Sequence, residues 1–165
     1  MTNSLRPGEI QSPLDPEAQA DDAHLIFIGR ARTPWMTRKD CPKNLREARE
    51  RGAHARIEID PAWRPGLREL VPGEAIILLT WMDRARRDLV VQAPRHRDSP
   101  AGVFSIRSPV RPNPIGLYVV RLLACDAEAG TLDIDALDCI DGTPVLDIKP
   151  WRQGVDVPPE PKTGD

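Results

Sequence analysis

Proline sets the grain of this sequence. Eighteen of its 165 residues are proline. Each fixes its own φ, removes a backbone donor and pushes the residue before it toward extended geometry. Long helices do not survive such punctuation, so the chain must build from many short segments. Three X–Pro bonds fall within seven residues: Ser108–Pro109, Arg111–Pro112 and Asn113–Pro114. This stretch has little conformational entropy left to lose. It can hold Arg107, Arg111 and Asn113 in set directions before a ligand arrives. A stiff connection between two strands, at a barrel rim or a subunit contact, is the plainer reading of the same residues.

Between residues 23 and 152 the apolar pattern is mostly that of strands. Strands are expected over His24–Arg32, His54–Asp60, Ala75–Met82, Asp88–Gln92, Val103–Ser108, Leu117–Ala124, Thr131–Ile140 and Val145–Lys149. The continuous apolar run from Ala75 to Leu79 suits a central strand. Asn44–Glu50 is the best helix, with Asn44 as N-cap and Gly52 as its stop. Pro61–Leu70 fits a turn or short helix, and Asp141-Gly142 a two-residue hairpin. The expected fold is mainly β: a single compact β-barrel with one or two short helices. Residues 1–22 and 153–165 are expected to be tails without structure.

Composition narrows the function classes. Hydrophobic residues make up 40% of the chain, enough for one real core. No apolar run reaches the roughly 18–20 residues of a membrane helix, and the N-terminus lacks a signal-peptide pattern. A cytoplasmic protein with no membrane partner is expected. Cys41, Cys125 and Cys139 lack the pairing and spacing of a disulfide framework or zinc site. His24, His54 and His96 form no metal motif, so no metal is expected. The net charge is only −2, but it is unevenly spread. Residues 30–121 carry nineteen basic and ten acidic side chains, while residues 122–165 carry three basic and ten acidic. An arginine-rich middle can face phosphates, and a mixed surface paired with the acidic C-terminal third accounts for it equally well. No GxG follows a strand, and neither GxxxxGK[ST] nor GxSxG occurs, so dinucleotide, P-loop and hydrolase-elbow chemistry is not indicated.

Two blocks carry a resemblance. The first runs from Ala101-Gly102-Val103-Phe104 through Arg107-Ser108 to Arg111-Pro112-Asn113-Pro114-Ile115-Gly116. The second runs from Leu137-Asp138-Cys139-Ile140-Asp141-Gly142 to Lys149-Pro150. Together they resemble the TrmO/TsaA-like family of S-adenosylmethionine-dependent tRNA methyltransferases. The likeness extends over roughly residues 25–152, loosely from 53 to 100. It implies a compact β-barrel with an unusual mode of donor binding, working as a homodimer. Family members methylate the exocyclic nitrogen of threonylcarbamoyl-adenosine beside the anticodon of threonine tRNA. Longer members add a C-terminal domain, and this sequence ends soon after Pro150.

Matching motifs assigns residues. Pro42-Lys43-Asn44 stands in place of the family's Pro-Arg-Gln donor-binding segment, and Met82-Asp83 in place of His-Gln. Arg107, Leu117 and the stretch Asp135-Ala136-Leu137-Asp138 complete the implied S-adenosyl-L-methionine site. Arg107 would pair with the methionyl carboxylate and Asp138 with the ribose hydroxyls. Asp138 is also the candidate acceptor of the proton that leaves with methyl transfer. Arg111, Asn113 and Lys149 are the candidate substrate contacts. Two other readings stay open: the same barrel and donor acting on a non-tRNA acceptor, and a non-catalytic RNA-binding barrel. Only seven aromatic residues are available for base stacking, which counts against the last.

Overall fold

The structure is a computed structural model that describes residues 5–13, 15, 23–95 and 97–160. Six antiparallel strands close into a barrel in the order β2-β3-β8-β7-β4-β9. They are β2 (Gly29–Arg32), β3 (Ala55–Ile59), β4 (Ala75–Trp81), β7 (Ile115–Asp126), β8 (Thr131–Ile134) and β9 (Pro144–Pro150). A smaller sheet, β1-β5-β6, stands beside it, built from β1 (Ile10–Gln11), β5 (Leu89–Gln92) and β6 (Ala101–Gly102).

Alternation explains the barrel. Along β4 the side chains of Ile76, Leu78 and Thr80 turn inward and are fully buried, while Ala75, Ile77, Leu79 and Trp81 stay half-buried outside. Along β7 the inward set is Tyr118, Val120 and Leu122. These join Ala31, Ile57, Leu132, Ile134 and Val145 in one apolar cluster. Each fully buried aliphatic side chain contributes about 1.5–3 kcal/mol by leaving water. The strands approach closely at Gly29, where a Cβ would lie 2.1 Å from the Glu58 carbonyl oxygen. No other residue fits the β2–β3 pairing there.

The expected strands at 54–60, 75–82, 88–92, 117–124 and 145–149 are present with small changes of boundary. Three others differ. The strand expected from His24 begins only at Gly29. Thr131–Ile140 is strand only to Ile134, because the chain then leaves the barrel to form a loop. Val103–Ser108 is not a strand: Val103–Ser105 is one turn of 3-10 helix, and the prolines beyond offer too few backbone donors for a ladder. Asp141-Gly142 does form a turn, with Gly142 at φ +79°, but it connects no paired hairpin, since β8 pairs with β3 and β7 and not with β9.

Helix α1 (Leu45–Glu50) starts as expected: Asn44 Oδ1 accepts from the Glu47 amide at 3.0 Å. The Glu47 carboxylate in turn accepts from the Lys43 amide at 2.9 Å, a reciprocal cap reaching one residue further back than the usual box. A 3-10 helix covers Pro61–Leu67. Part of the segment expected to lack structure is tied down. Ile10–Gln11 pairs with β5, and the buried Glu9 carboxylate accepts from the Arg6 amide at 3.0 Å, from Arg6 Nε at 2.9 Å and from the Ala93 amide at 3.3 Å. Gln153–Asp156 likewise forms a short helix, α2. The remaining tail expectations, for residues 1–4, 14, 16–22 and 161–165, and the reading of His96 lie outside the described residues.

The topology gathers the long connections. The strand registers place the ends of β2, β4 and β8 and the starts of β3, β7 and β9 at one end of the barrel. Connections 33–54, 82–114 and 135–143 therefore all emerge there, and every candidate site residue but Leu117 and Lys149, which lie in β7 and β9, belongs to one of them.

Candidate functional site

The proline-braced loop forms one lip of the mouth. Arg111 is its internal brace. Its Nε donates to the Ser108 carbonyl at 2.8 Å, and its Nη2 to the carbonyls of Val103, at 3.0 Å, and Ile106. Arg87 clamps the loop from outside, donating from Nε to the Pro112 carbonyl at 2.6 Å while its guanidinium lies 5.3 Å from the Trp81 ring centroid. The Met82 amide donates to the Pro114 carbonyl at 2.8 Å, which pins the loop to the end of β4. Arg107 is exposed, with Nη2 donating to the Leu117 carbonyl at 2.8 Å. That single anchor holds the side chain in place and leaves most of its five donors for another partner.

The 135–143 loop forms the opposing lip. Asp135 is absorbed by the framework: Oδ1 accepts from the Arg121 amide at 2.7 Å and Oδ2 from Arg49 Nε at 2.6 Å. Ala136 and Leu137 are completely buried. The Leu137 carbonyl accepts from Trp35 Nε1 at 2.8 Å, and the Cys139 carbonyl from Thr33 Oγ1 at 2.9 Å. Asp141 Oδ1 takes the Thr33 amide at 3.0 Å. Between these anchors Asp138 is only partly exposed, and its Oδ1 is buried without a hydrogen-bond partner. Burial pushes its carboxyl above the usual carboxylate range, opposed by its own amide and by the Arg107 charge.

Electrostatic contacts show which groups share this mouth. Asp138 lies within electrostatic reach of Arg107. Its charge also reaches the Cys41 thiol, raised by burial first and by Asp138 second. Tyr118 and Cys139, both raised chiefly by burial, feel it as well. The Tyr118 hydroxyl donates to Met82 Sδ at 3.3 Å. Arg107, Met82, Tyr118 and Asp138 are thus neighbours at this end of the barrel, with Leu117 joined through its carbonyl and Cys41 carrying the buried Pro42 nearby.

Other expected residues have different positions. The Asn44 side chain caps α1. Lys43 and Asp83 point to solvent. Arg111 spends its guanidinium on the loop itself. Asn113 is exposed at the loop's outer side, its Oδ1 3.5 Å from Arg87 Nη2. Lys149 is exposed and paired with Asp147 at 2.6 Å on β9. Sequence reasoning missed Trp35, Cys41 and Tyr118. Only Tyr118 had a visible signal, since it stands two residues after Gly116 in a strand and so shares its inward face. Among the described residues no group of three or more His, Cys, Asp or Glu side chains is arranged to hold a metal ion, and no helix is long and apolar enough to cross a membrane.

Fold and site together define a small closed-barrel protein with an Arg–Asp pair set across one mouth, between a braced loop and a buried turn. Residues 30–157 match the family model described as the tRNA-methyltransferase O N-terminal domain. The chain belongs to that family. A probable S-adenosyl-L-methionine-binding protein, VirR, of Rhizobium radiobacter is 38% identical over 148 residues, covering 90% of this chain and 80% of its own. An S-adenosyl-L-methionine-binding protein of Archaeoglobus fulgidus is 40% identical over 129 residues, covering 78% and 89%. A mouse tRNA (adenine(37)-N6)-methyltransferase is 50% identical over 68 residues, 41% of this chain and 15% of that protein. The crystal structure of TrmO from Pseudomonas aeruginosa superposes with a TM-score of 0.67 at 30% identity, over 88% of this chain and 63% of that one. The chain therefore spans under two thirds of the solved TrmO chain.

Proposed function

We propose that this protein binds S-adenosyl-L-methionine at the barrel mouth and transfers its methyl group to the exocyclic nitrogen of threonylcarbamoyl-adenosine, next to the anticodon of a tRNA, threonine tRNA in the first instance. The observation that carries the reading is the placement of Arg107 and Asp138 on opposite lips of one opening. Their chemistry fits the donor. Arg107 has guanidinium donors left for the methionyl carboxylate. Asp138 is a partly covered carboxylate that can accept ribose hydroxyls. In the 135–138 stretch the Asp135 amide and the Leu137 carbonyl already have partners. Contact with the adenine edge falls to the main chain of Ala136 and Asp138, with Pro42 and Met82 as apolar walls and Leu117 taking part through its main chain.

The bound donor supplies an electrophilic methyl on a sulfonium. The protein's work is alignment and exclusion of water. A new N–C bond forms as the S–C bond breaks, and the nitrogen's proton must leave. Asp138 is suited to receive it late, because burial raises its basicity above that of an ordinary carboxylate. Arg111, Asn113 and Lys149 are assigned to the acceptor side in this reading, and Lys43 to the donor side with Pro42. For Arg111 the role is indirect, through the shape of the loop. The protein works in the cytoplasm as a homodimer, and the outer face of β7 supports association, with Ile115, Leu117, Val119 and Leu123 each 39–47% exposed.

Calorimetry with S-adenosyl-L-methionine tests the reading. Arg107→Ala should weaken binding by about tenfold or more, the loss of a hydrogen bond to a charged group. An unchanged affinity removes Arg107 from the site, and no binding by the unaltered protein removes the donor. The tRNA assignment is tested apart from this, by nucleoside mass spectrometry of threonine tRNA incubated with protein and donor.

A further inference from the structure

The two ends of the barrel differ in charge. The three connections at the mouth carry thirteen lysine and arginine side chains against nine aspartate and glutamate. The connections at the other end, 60–74 and 127–130, carry two against four. At the mouth Arg38, Lys39, Arg84, Arg95, Arg97 and Arg107 are exposed and form no ion pair among the described residues. Positive charge left uncompensated around a rim suits a polyanion.

One aromatic side chain projects from this rim. Phe104 is 87% exposed, against 40% for Phe27 and 41% for Trp63. Those two lie before β2 and in the 60–74 connection, toward the other end of the barrel. The turn that carries Phe104 is held firmly. Val103 is buried with Leu89 and Val110. The Ser105 hydroxyl donates to the Gly102 carbonyl at 2.8 Å. Arg111 Nη2 donates to the carbonyls of Val103, at 3.0 Å, and Ile106. Both neighbours of Phe104 thus have internal contacts, while its ring is left to solvent. The ring and Arg107 are three residues apart on one braced lip. A ring presented on a rigid turn loses little entropy when it takes a partner.

We propose that Phe104 is a base-stacking residue for the RNA acceptor: an unpaired nucleobase lies flat on its ring while the cations of the rim meet the phosphates. This rests on the reading of the acceptor as a tRNA. Bases beside an anticodon are in a loop, and an unpaired base stacks on an exposed aromatic face among arginines. A second copy of this chain is the other candidate to cover the ring. A two-fold contact centred on Phe104 would bring two copies of the same positive rim together, which costs energy. An RNA brings the opposite charge.

Phe104→Ala, Phe104→Leu and Phe104→Trp decide the matter, and at so exposed a position all three should fold. Binding is read by fluorescence anisotropy with labelled threonine tRNA and with a short single-stranded oligoadenylate. Phe104→Ala should weaken binding of either RNA about tenfold. It should raise KM for the tRNA by a similar factor, with kcat and the calorimetric affinity for S-adenosyl-L-methionine unchanged. Phe104→Leu keeps an apolar side chain without a π-face and should behave like the alanine variant. Phe104→Trp should bind at least as tightly as the unaltered protein. A merely structural phenylalanine would not sort the variants by aromaticity. Equal RNA affinities across the series, or full rescue by leucine, overturn the proposal. So does a change of oligomeric state in Phe104→Ala, read by light scattering, which would give the ring to a second copy. If the unaltered protein ignores threonine tRNA but binds the oligoadenylate, with the variants in the order above, the acceptor assignment falls and the stacking role stands. Binding of neither RNA overturns both.

Discussion

The barrel encloses one continuous apolar cluster that draws on all six of its strands, whereas the small sheet beside it rests on three buried apolar side chains, Leu89, Val103 and Val110. Polar clamps supply the rest of that sheet's cohesion. Glu9 gathers Arg6 and the Ala93 amide. Arg86 grips Asp88 at 2.7 Å while Gln11 donates to the same carboxylate at 2.8 Å. Val103 and Val110 belong to the segments on either side of Arg107, so the small sheet's cluster supports the braced loop. The division of labour follows. Apolar burial makes a platform that does not yield, and directional polar contacts on its flank set the shape of the lip that carries Arg107.

The sharpest way to break the comparison is through the barrel interior. Leu78→Ala, at a position with no solvent exposure, should cost about 2–5 kcal/mol in chemical denaturation and lower every strand together. A smaller and local effect is expected from the flank. The Arg86 guanidinium, with help from Gln11, holds the Asp88 carboxyl down at about 2. Its contribution is present above the ordinary carboxylate midpoint and is lost as pH falls toward about 2, worth about 1 kcal/mol for a pair only partly buried. Hydrogen exchange in acid should therefore rise in β1 and β5 before it rises in β4 or β7. Simultaneous loss in all four strands would merge the two regions into one cooperative unit. The smallest effect concerns the mouth. Asp138 has a raised midpoint, so the folded state holds its proton more tightly than the unfolded chain, and stability falls as pH rises across that interval. Asp138→Asn should keep or raise the melting temperature at neutral pH while abolishing donor binding. A clear loss of stability would mean the carboxylate supports the fold.

Much of the barrel was legible in advance because its strands obey a local rule. Ala75–Trp81 and Ile115–Asp126 alternate or run apolar as buried strands do, and Asn44 announces α1 by its capping chemistry. What sequence could not show was tertiary in origin. Ile134 is followed by residues of good strand character, but the chain leaves the sheet there because Asp135 is claimed by Arg49 and Arg121. The N-terminal residues read as polar and proline-rich, and only contact with β5 tells Glu9 to stay. Arg107 and Asp138 were named from motif resemblance, and the fold brings them together. Arg111 shows the converse. Its place in the motif suggested a ligand contact, but a guanidinium can spend its donors inside a loop, and no pattern of residue types separates the two uses. Tyr118 offered only its spacing from Gly116, and its place at the mouth emerged with the inward face of β7.

Closure of the barrel has a consequence for how this chain can meet others. Every one of its six strands has a neighbour on both sides, so the barrel offers no open ladder for a foreign strand to copy. Among the described residues the edges that remain, β1 and β6, are two residues long, too short to act as templates. Misassembly by strand addition is thereby suppressed. Any lasting association has to be written in side chains on the outer face, where single substitutions can tune it without reopening the sheet.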